Sequence, residues 1–223
     1  MRGIKTATTA AGPATGMATN RALLVGLLAL STAASGCGAS TGAPPSGAVR
    51  STTQQASPSL SAAIAAFAWL RPAPAPTDWL YARLPTGATM AYSPDWHTLA
   101  GDRGTASAAL FDSHDHYLGY LNLTPRQGAE TPGSWPAFRL RHNVAEGDRK
   151  VKFEAAAGGL RFRTGRGTCV RDAYTTSANT RYVEIACLVG GAHISSVVIG
   201  AAPSERWTQE RSVIERAISA LIT

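Results

Sequence analysis

The sequence predicts an α+β domain over residues 77–223, a mostly antiparallel sheet with helices packed on it. Three observations point to it. Short runs rich in β-branched and aromatic residues alternate with turn residues, two segments carry apolar residues at helical spacing, and two cysteines fall in neighbouring strand-like runs that one hairpin register brings together.

Residues 1–36 read as a leader. Arg21 precedes an apolar run of about a dozen residues, which is signal-peptide size and shorter than the roughly 20 that a permanent membrane span needs. Met17 would start a leader of ordinary length. The run ends in Ala34, Ser35, Gly36 and Cys37, which resembles the lipobox of bacterial lipoproteins: small residues let the extended chain enter a peptidase groove, and the thiol takes the diacylglyceryl unit. Ala34 stands where that pattern more often has Leu. The resemblance implies a mature protein that begins at Cys37, carries lipid there, and is held at the outer face of the bacterial cytoplasmic membrane. Ordinary secretion, with Cys37 merely nearby, is the alternative.

Residues 37–76 read as a Ser/Ala/Pro-rich tether. From 38 to 61 there is hardly a large apolar side chain, so ordering the segment cannot be offset by burial. As a flexible coil it spans roughly 25 to 30 Å. The next ten residues are apolar enough for a short helix or for lying on the domain, and Pro72, Pro74 and Pro76 end any helix.

Within the domain, strand-like runs occupy 79–83, 89–92, 105–111, 117–123, 151–155, 160–163 and 193–199, with a further pair around residues 177–179. In that pair, a three-residue loop of Ser177, Ala178 and Asn179 sets Thr176 opposite Thr180. Counting outward from there, Cys169 faces Cys187, and Asn179 suits the left-handed position such a loop requires. With Cys37 claimed by lipid, the remaining cysteines form an even pair in an oxidising compartment, and their disulfide is valued at about 3 kcal/mol by loop-closure entropy. Free buried thiols or a metal pair are the alternatives, and no third and fourth ligand accompany the sulfurs. One helix is predicted over 134–146, with Trp135, Phe138 and less regularly His142 on one side. A second begins after Ser204, placed as its N-cap, where Trp207, Val213, Ile214, Ala217, Ile218 and Leu221 recur at three and four spacing.

The order of these elements, the stretch Tyr92, Ser93, Pro94, Asp95, Trp96, His97 before a hairpin, the mid-chain helix and the terminal Trp207 helix resemble the Mog1/PsbP-like fold over about 79–223, in particular its small bacterial lipoproteins. That resemblance implies an α/β/α sandwich with binding or assembly roles at membranes and no shared catalytic motif.

The formal charge of +7 falls to +4 once Arg2, Lys5 and Arg21 leave with the leader. The excess of arginine over lysine, with abundant Ala and Gly, reads as coding bias. A mild positive charge fits anionic lipid or cell-wall polymer and equally a plain soluble surface. Nucleic acid is not an expected partner of so thin a basic strip outside the cytoplasm.

Three clusters carry chemistry-bearing residue types. Asp112, His114, Asp115 and His116 have metal-ligand types, though Asp and Ser between two strands favour a solvated hairpin tip. Asp172 faces Glu184 in the hairpin register, an unfavourable like-charge pair unless a cation is near. Arg161, Arg163, Arg166 and Arg171 are the obvious neutralisers, in a charge network on an exposed sheet face; two close carboxylates also suit acid/base chemistry. Arg161, Arg163 and Arg166 carry paired donors for a phosphate or carboxylate, or form a solvated face. Ser134, Ser195 and Ser196 lack a nucleophile elbow, and no phosphate-binding glycine motif occurs, so no catalytic residue, metal or cofactor is assigned. The expected role is non-enzymatic binding or assembly with an envelope protein, a lipid or a cell-wall component, through one sheet face or a groove beside the mid-chain helix. The alternative is a small hydrolase or metal-dependent enzyme using Asp172 and Glu184, or His114 and His116.

Overall fold

The computed structural model describes residues 65–191 and 194–223. The leader, Cys37, the tether through residue 64, and His193 lie outside the described residues. Eleven elements follow in order: β1 (Leu80–Arg83), β2 (Thr89–Tyr92), β3 (His97–Leu99), β4 (Ala106–Phe111), β5 (Tyr117–Pro125), α1 (Trp135–Ala145), β6 (Arg149–Arg161), β7 (Arg166–Thr175), β8 (Arg181–Val189), β9 (Ser196–Pro203) and α2 (Trp207–Ser219).

β1 and β2 form a separate hairpin, and the other seven strands make one sheet in the order β3-β4-β5-β9-β8-β7-β6, antiparallel at every step. The chain lays down β3 to β5 as a meander, crosses one face through α1 to the far edge, and returns through β6 to β9 until β9 closes against β5. α2 packs on the opposite face. This is the mostly antiparallel α+β arrangement, with one helix on each side of the sheet.

The main core lies under α2, where Ile185, Cys187, Val198, Ile214 and Ile218 are completely buried. Cys169 and Cys187 are directly opposite in the β7–β8 register and bonded, with Cα atoms 4.0 Å apart. The loop is as the register requires: the Thr176 amide donates to the Thr180 carbonyl at 2.9 Å, and Asn179 has φ of 66°. Packing reaches upstream of Thr77, since Phe67 and Ala75 are buried with Trp69 and Leu70 against the cluster that contains Phe67.

Several boundaries differ from expectation. The runs at 151–155 and 160–163 belong to one strand, β6, whose Gly158 and Gly159 form a bulge, with Gly159 at φ of 68°; glycine interrupts the strand pattern without ending the strand. β9 begins at Ser196 and runs on to Pro203. β3 is too short to announce itself. Ser204 does not cap α2; Arg206 occupies the N-cap and no side chain closes it.

Candidate functional site

α1 docks on β6 and β7 through a stripe of Trp135, Arg139 and Asn143, all buried and each four residues from the next. Trp135 Nε1 donates to the Ala186 carbonyl at 2.9 Å. Arg139 reaches Glu184 on β8, Nε to Oε1 at 2.6 Å and Nη2 to Oε2 at 2.8 Å, in a buried bidentate pair. The inward face of this helix is therefore half polar, which the expected Trp135, Phe138, His142 side did not include; Phe138 and His142 stack on one another at the helix flank.

The predicted facing of Asp172 and Glu184 is correct, but their surroundings are not those of an exposed network. Both are buried, at 0% and 1% exposure, beneath α1. The neutralising cation is Arg139. Arg171 points to the other face, where it pairs with Glu154 at 2.7 Å and lies over Trp207. Arg161, Arg163 and Arg166 are exposed around the β6–β7 turn, with no acidic partner among the described residues. From Arg166 to Asp172 the strand runs roughly 20 Å, so these arginines form a separate patch. Neither oxygen of Asp172 has a hydrogen-bond partner among the described residues; burial first, then Glu184, hold its carboxyl well above the usual range. For Arg139, burial opposes the charge, but Glu184 outweighs it and keeps the guanidinium cationic. Neither side chain is open to solvent.

Asp112, His114, Asp115 and His116 form the β4–β5 hairpin tip. Asp112 Oδ1 accepts from the His114 and His116 amides at 2.8 and 2.9 Å, and Oδ2 lies 3.1 Å from His116 Nδ1. The His116 and His114 amides hold the Asp112 carboxyl down at about 2. Asp115 takes the left-handed turn position, with φ of 61°. The two imidazoles stand with centroids 6.1 Å apart. No group of three or more metal-ligating side chains is assembled among the described residues.

The sheet face beside α1 presents a concavity, and its lining residues are ones the sequence reading did not name. α1 lies over the β6–β7 half of its face and reaches β8 through Trp135 and Arg139. Across the other half, Tyr120 on β5, Ala201 on β9 and Glu184 on β8 occupy one cross-strand row. β9 thus contributes the small side chains of Ala201 and Pro203 as a floor, while Tyr117 and Tyr120 on one side and Tyr174 and Tyr182 on the other rise as walls. The groove has a volume of about 880 Å³, in the range of small-molecule sites, and holds four of the chain's six tyrosines. Tyr174 and Tyr182 face across β7 and β8 with rings nearly parallel, centroids 6.0 Å apart; Tyr117 and Tyr120 meet edge-on at 6.3 Å. The rim is the β4–β5 tip, with Asp112, Asp115 and His116, the β7–β8 turn, and Glu205 with Arg206 before α2. At the inner end, the Tyr174 hydroxyl lies 3.4 Å from Glu184 Oε2, so the groove wall rests on the buried ion pair. Burial, then Glu184, raise the Tyr174 phenol; burial, then Tyr117 and Glu205, raise that of Tyr182. Both keep their hydroxyl protons to donate. A second hollow, of about 470 Å³, lies at the end of α1 against Leu140, Val144 and Val151, and Arg141 is the one charged group on it.

No protein-family model and no curated protein matches the chain. Among solved structures it is similar to the solution structure of cyanobacterial PsbP from Synechocystis sp. PCC 6803, at 10% identity over 66% of this chain and 92% of that one, with a TM-score of 0.49. It is also similar to LpqN, involved in cell envelope biogenesis of Mycobacterium tuberculosis, at 12% identity over 67% and 80% of the two chains and a TM-score of 0.35. A crystal structure from Bacteroides thetaiotaomicron VPI-5482 aligns at 16% identity over 60% of this chain, with a TM-score of 0.38; there the chain spans 44% of the other, less than half its length. The fold class itself, a mostly antiparallel sheet with a helix on each face, follows from the strand order and helix placement described above.

Proposed function

We propose that this protein is a binding module of the bacterial envelope, lipid-anchored through Cys37 on the outer side of the cytoplasmic membrane, which takes its ligand in the tyrosine-walled groove. The observation that carries this reading is the uncovered half-sheet: a groove of about 880 Å³ whose walls are aromatic and whose rim is polar. Aromatic walls with a few convergent polar groups are the usual make-up of a ligand site. The buried Arg139–Glu184 pair supports a binding role, since it positions α1 and Tyr174 while offering no reactive group to solvent. The lipobox-like Ala34, Ser35, Gly36, Cys37 supports the anchor, because two or three acyl chains hold a protein stably where one holds it marginally.

The two parts of the proposal are tested separately. A photoreactive benzophenone side chain placed at Tyr182 in the membrane-anchored protein should cross-link an envelope component in living cells, and one placed at Arg163 on the opposite hairpin should not. Cross-linking from Arg163 alone would overturn the groove reading. Intact-mass analysis of the membrane fraction should show a chain starting at Cys37 and carrying acyl mass; an unmodified cysteine would overturn the anchor.

A further inference from the structure

We propose that the ligand of this groove is an organic cation, an ammonium centre bearing alkyl groups; the inference rests on the groove being the binding site. Charge complementarity points that way. Around the groove the carboxylates of Asp112, Asp115 and Glu205 stand against the Arg206 guanidinium and against His116, which pairs with Asp112. Arg206 is itself turned toward a further carboxylate, Glu210, at 3.5 Å. The rim thus carries more acid than base on a chain whose formal net charge remains positive, +4, once the leader is removed. An anionic ligand would meet an acidic rim on a basic protein; a cation meets its complement.

The walls discriminate among cations. β5 and β8 flank β9, and strands lie roughly 4.8 Å apart, so the strands that carry Tyr120 and Tyr182 stand about 10 Å apart and a group seated over Ala201 and Pro203 lies between them. A tyrosine ring face attracts a cation that comes within roughly 6 Å of its centre. A small metal ion or a bare ammonium holds its water strongly and gains little from exchanging it for a phenol face. An alkylated ammonium is weakly hydrated, spreads its charge over methyl groups, and buries those methyls against the tyrosines. Asp115 and Glu205, both exposed at the rim, supply long-range attraction that salt screens.

The test is a titration of the full chain with three probes, followed by calorimetry and by tyrosine ring resonances: choline, its uncharged isostere 3,3-dimethyl-1-butanol, and a neutral chitin trisaccharide. The expected result is choline binding at least tenfold tighter than either neutral probe, weakened at high salt, weakened at least fivefold by Glu205→Gln and by Tyr182→Leu, and retained in Tyr182→Phe, which keeps the ring. Should the isostere or the trisaccharide bind as well as choline while shifting Tyr120 and Tyr182, the cation inference is overturned and the groove reading stands. If no probe shifts those tyrosines while a cross-link still forms from Tyr182, the cation inference again fails alone; without that cross-link, both fail.

Discussion

Arg139 on α1 and Glu184 on β8 are joined by two parallel hydrogen bonds while less than a tenth of either side chain is exposed. Removing one partner leaves the other charged in a dry interior, which typically costs about 3–5 kcal/mol. Arg139→Ala should destabilise the protein by that amount in denaturant unfolding, and adding Glu184→Gln should recover a substantial part. A loss under about 1 kcal/mol would show that the pair is solvated.

Asp172 lies across from Glu184 with neither oxygen paired among the described residues, and its carboxyl titrates well above an unfolded aspartate, which protonates near pH 4. A folded pKa above the unfolded one means the native state binds the extra proton. The resulting stabilisation is complete below about pH 4 and is lost as pH rises toward the folded value. The thermal midpoint should therefore fall as pH rises from about 5 to about 8, and Asp172→Asn, which mimics the protonated acid, should flatten that decline. Parallel curves for the two proteins would contradict it.

Cys169 and Cys187 are both completely buried and joined. Replacing both with serine should cost about 3 kcal/mol and leave the strand register intact. In the native protein neither sulfur should react with an alkylating reagent before reduction; labelling of unreduced, folded protein at either position would refute the bridge.

Gly200 on β9 lies directly under Ile214 of α2, and a Cβ at that position would collide with Ile214 Cγ2. Gly200→Ala should cost about 1–3 kcal/mol by overpacking. Combined with Ile214→Val, which trims the colliding side chain, the total loss should be smaller than the sum of the two single losses. Strict additivity would mean that the loss at Gly200 does not arise from contact with Ile214.

What could be read in the sequence was what local pattern encodes. The loop Ser177, Ala178, Asn179 fixes one register, and that register fixes the disulfide and the facing of Asp172 with Glu184. Charged and amide side chains on a helix are read as outward-facing, so Arg139 and Asn143 went unplaced, although their spacing of four from Trp135 was a signal and the facing carboxylates demanded a cation. The groove has no local signature at all. It exists because β9 inserts between β5 and β8, bringing Tyr117 and Tyr120 within reach of Tyr174 and Tyr182 from more than fifty residues away in sequence. In the Tyr174–Tyr182 half, the pairing was implicit in the hairpin register, and the missing step was knowing that α1 leaves that end of the sheet uncovered.

The most direct test of the groove as the working surface is a map of amide and tyrosine-ring chemical shifts as the labelled protein is titrated with a detergent extract of its own cell envelope. Perturbations should concentrate on Tyr117, Tyr120, Tyr174, Tyr182 and Ala201, with Arg161, Arg163 and Arg166 unmoved. Shifts confined to the arginine hairpin, or to Leu140 and Val144 at the end of α1, would place the binding surface elsewhere.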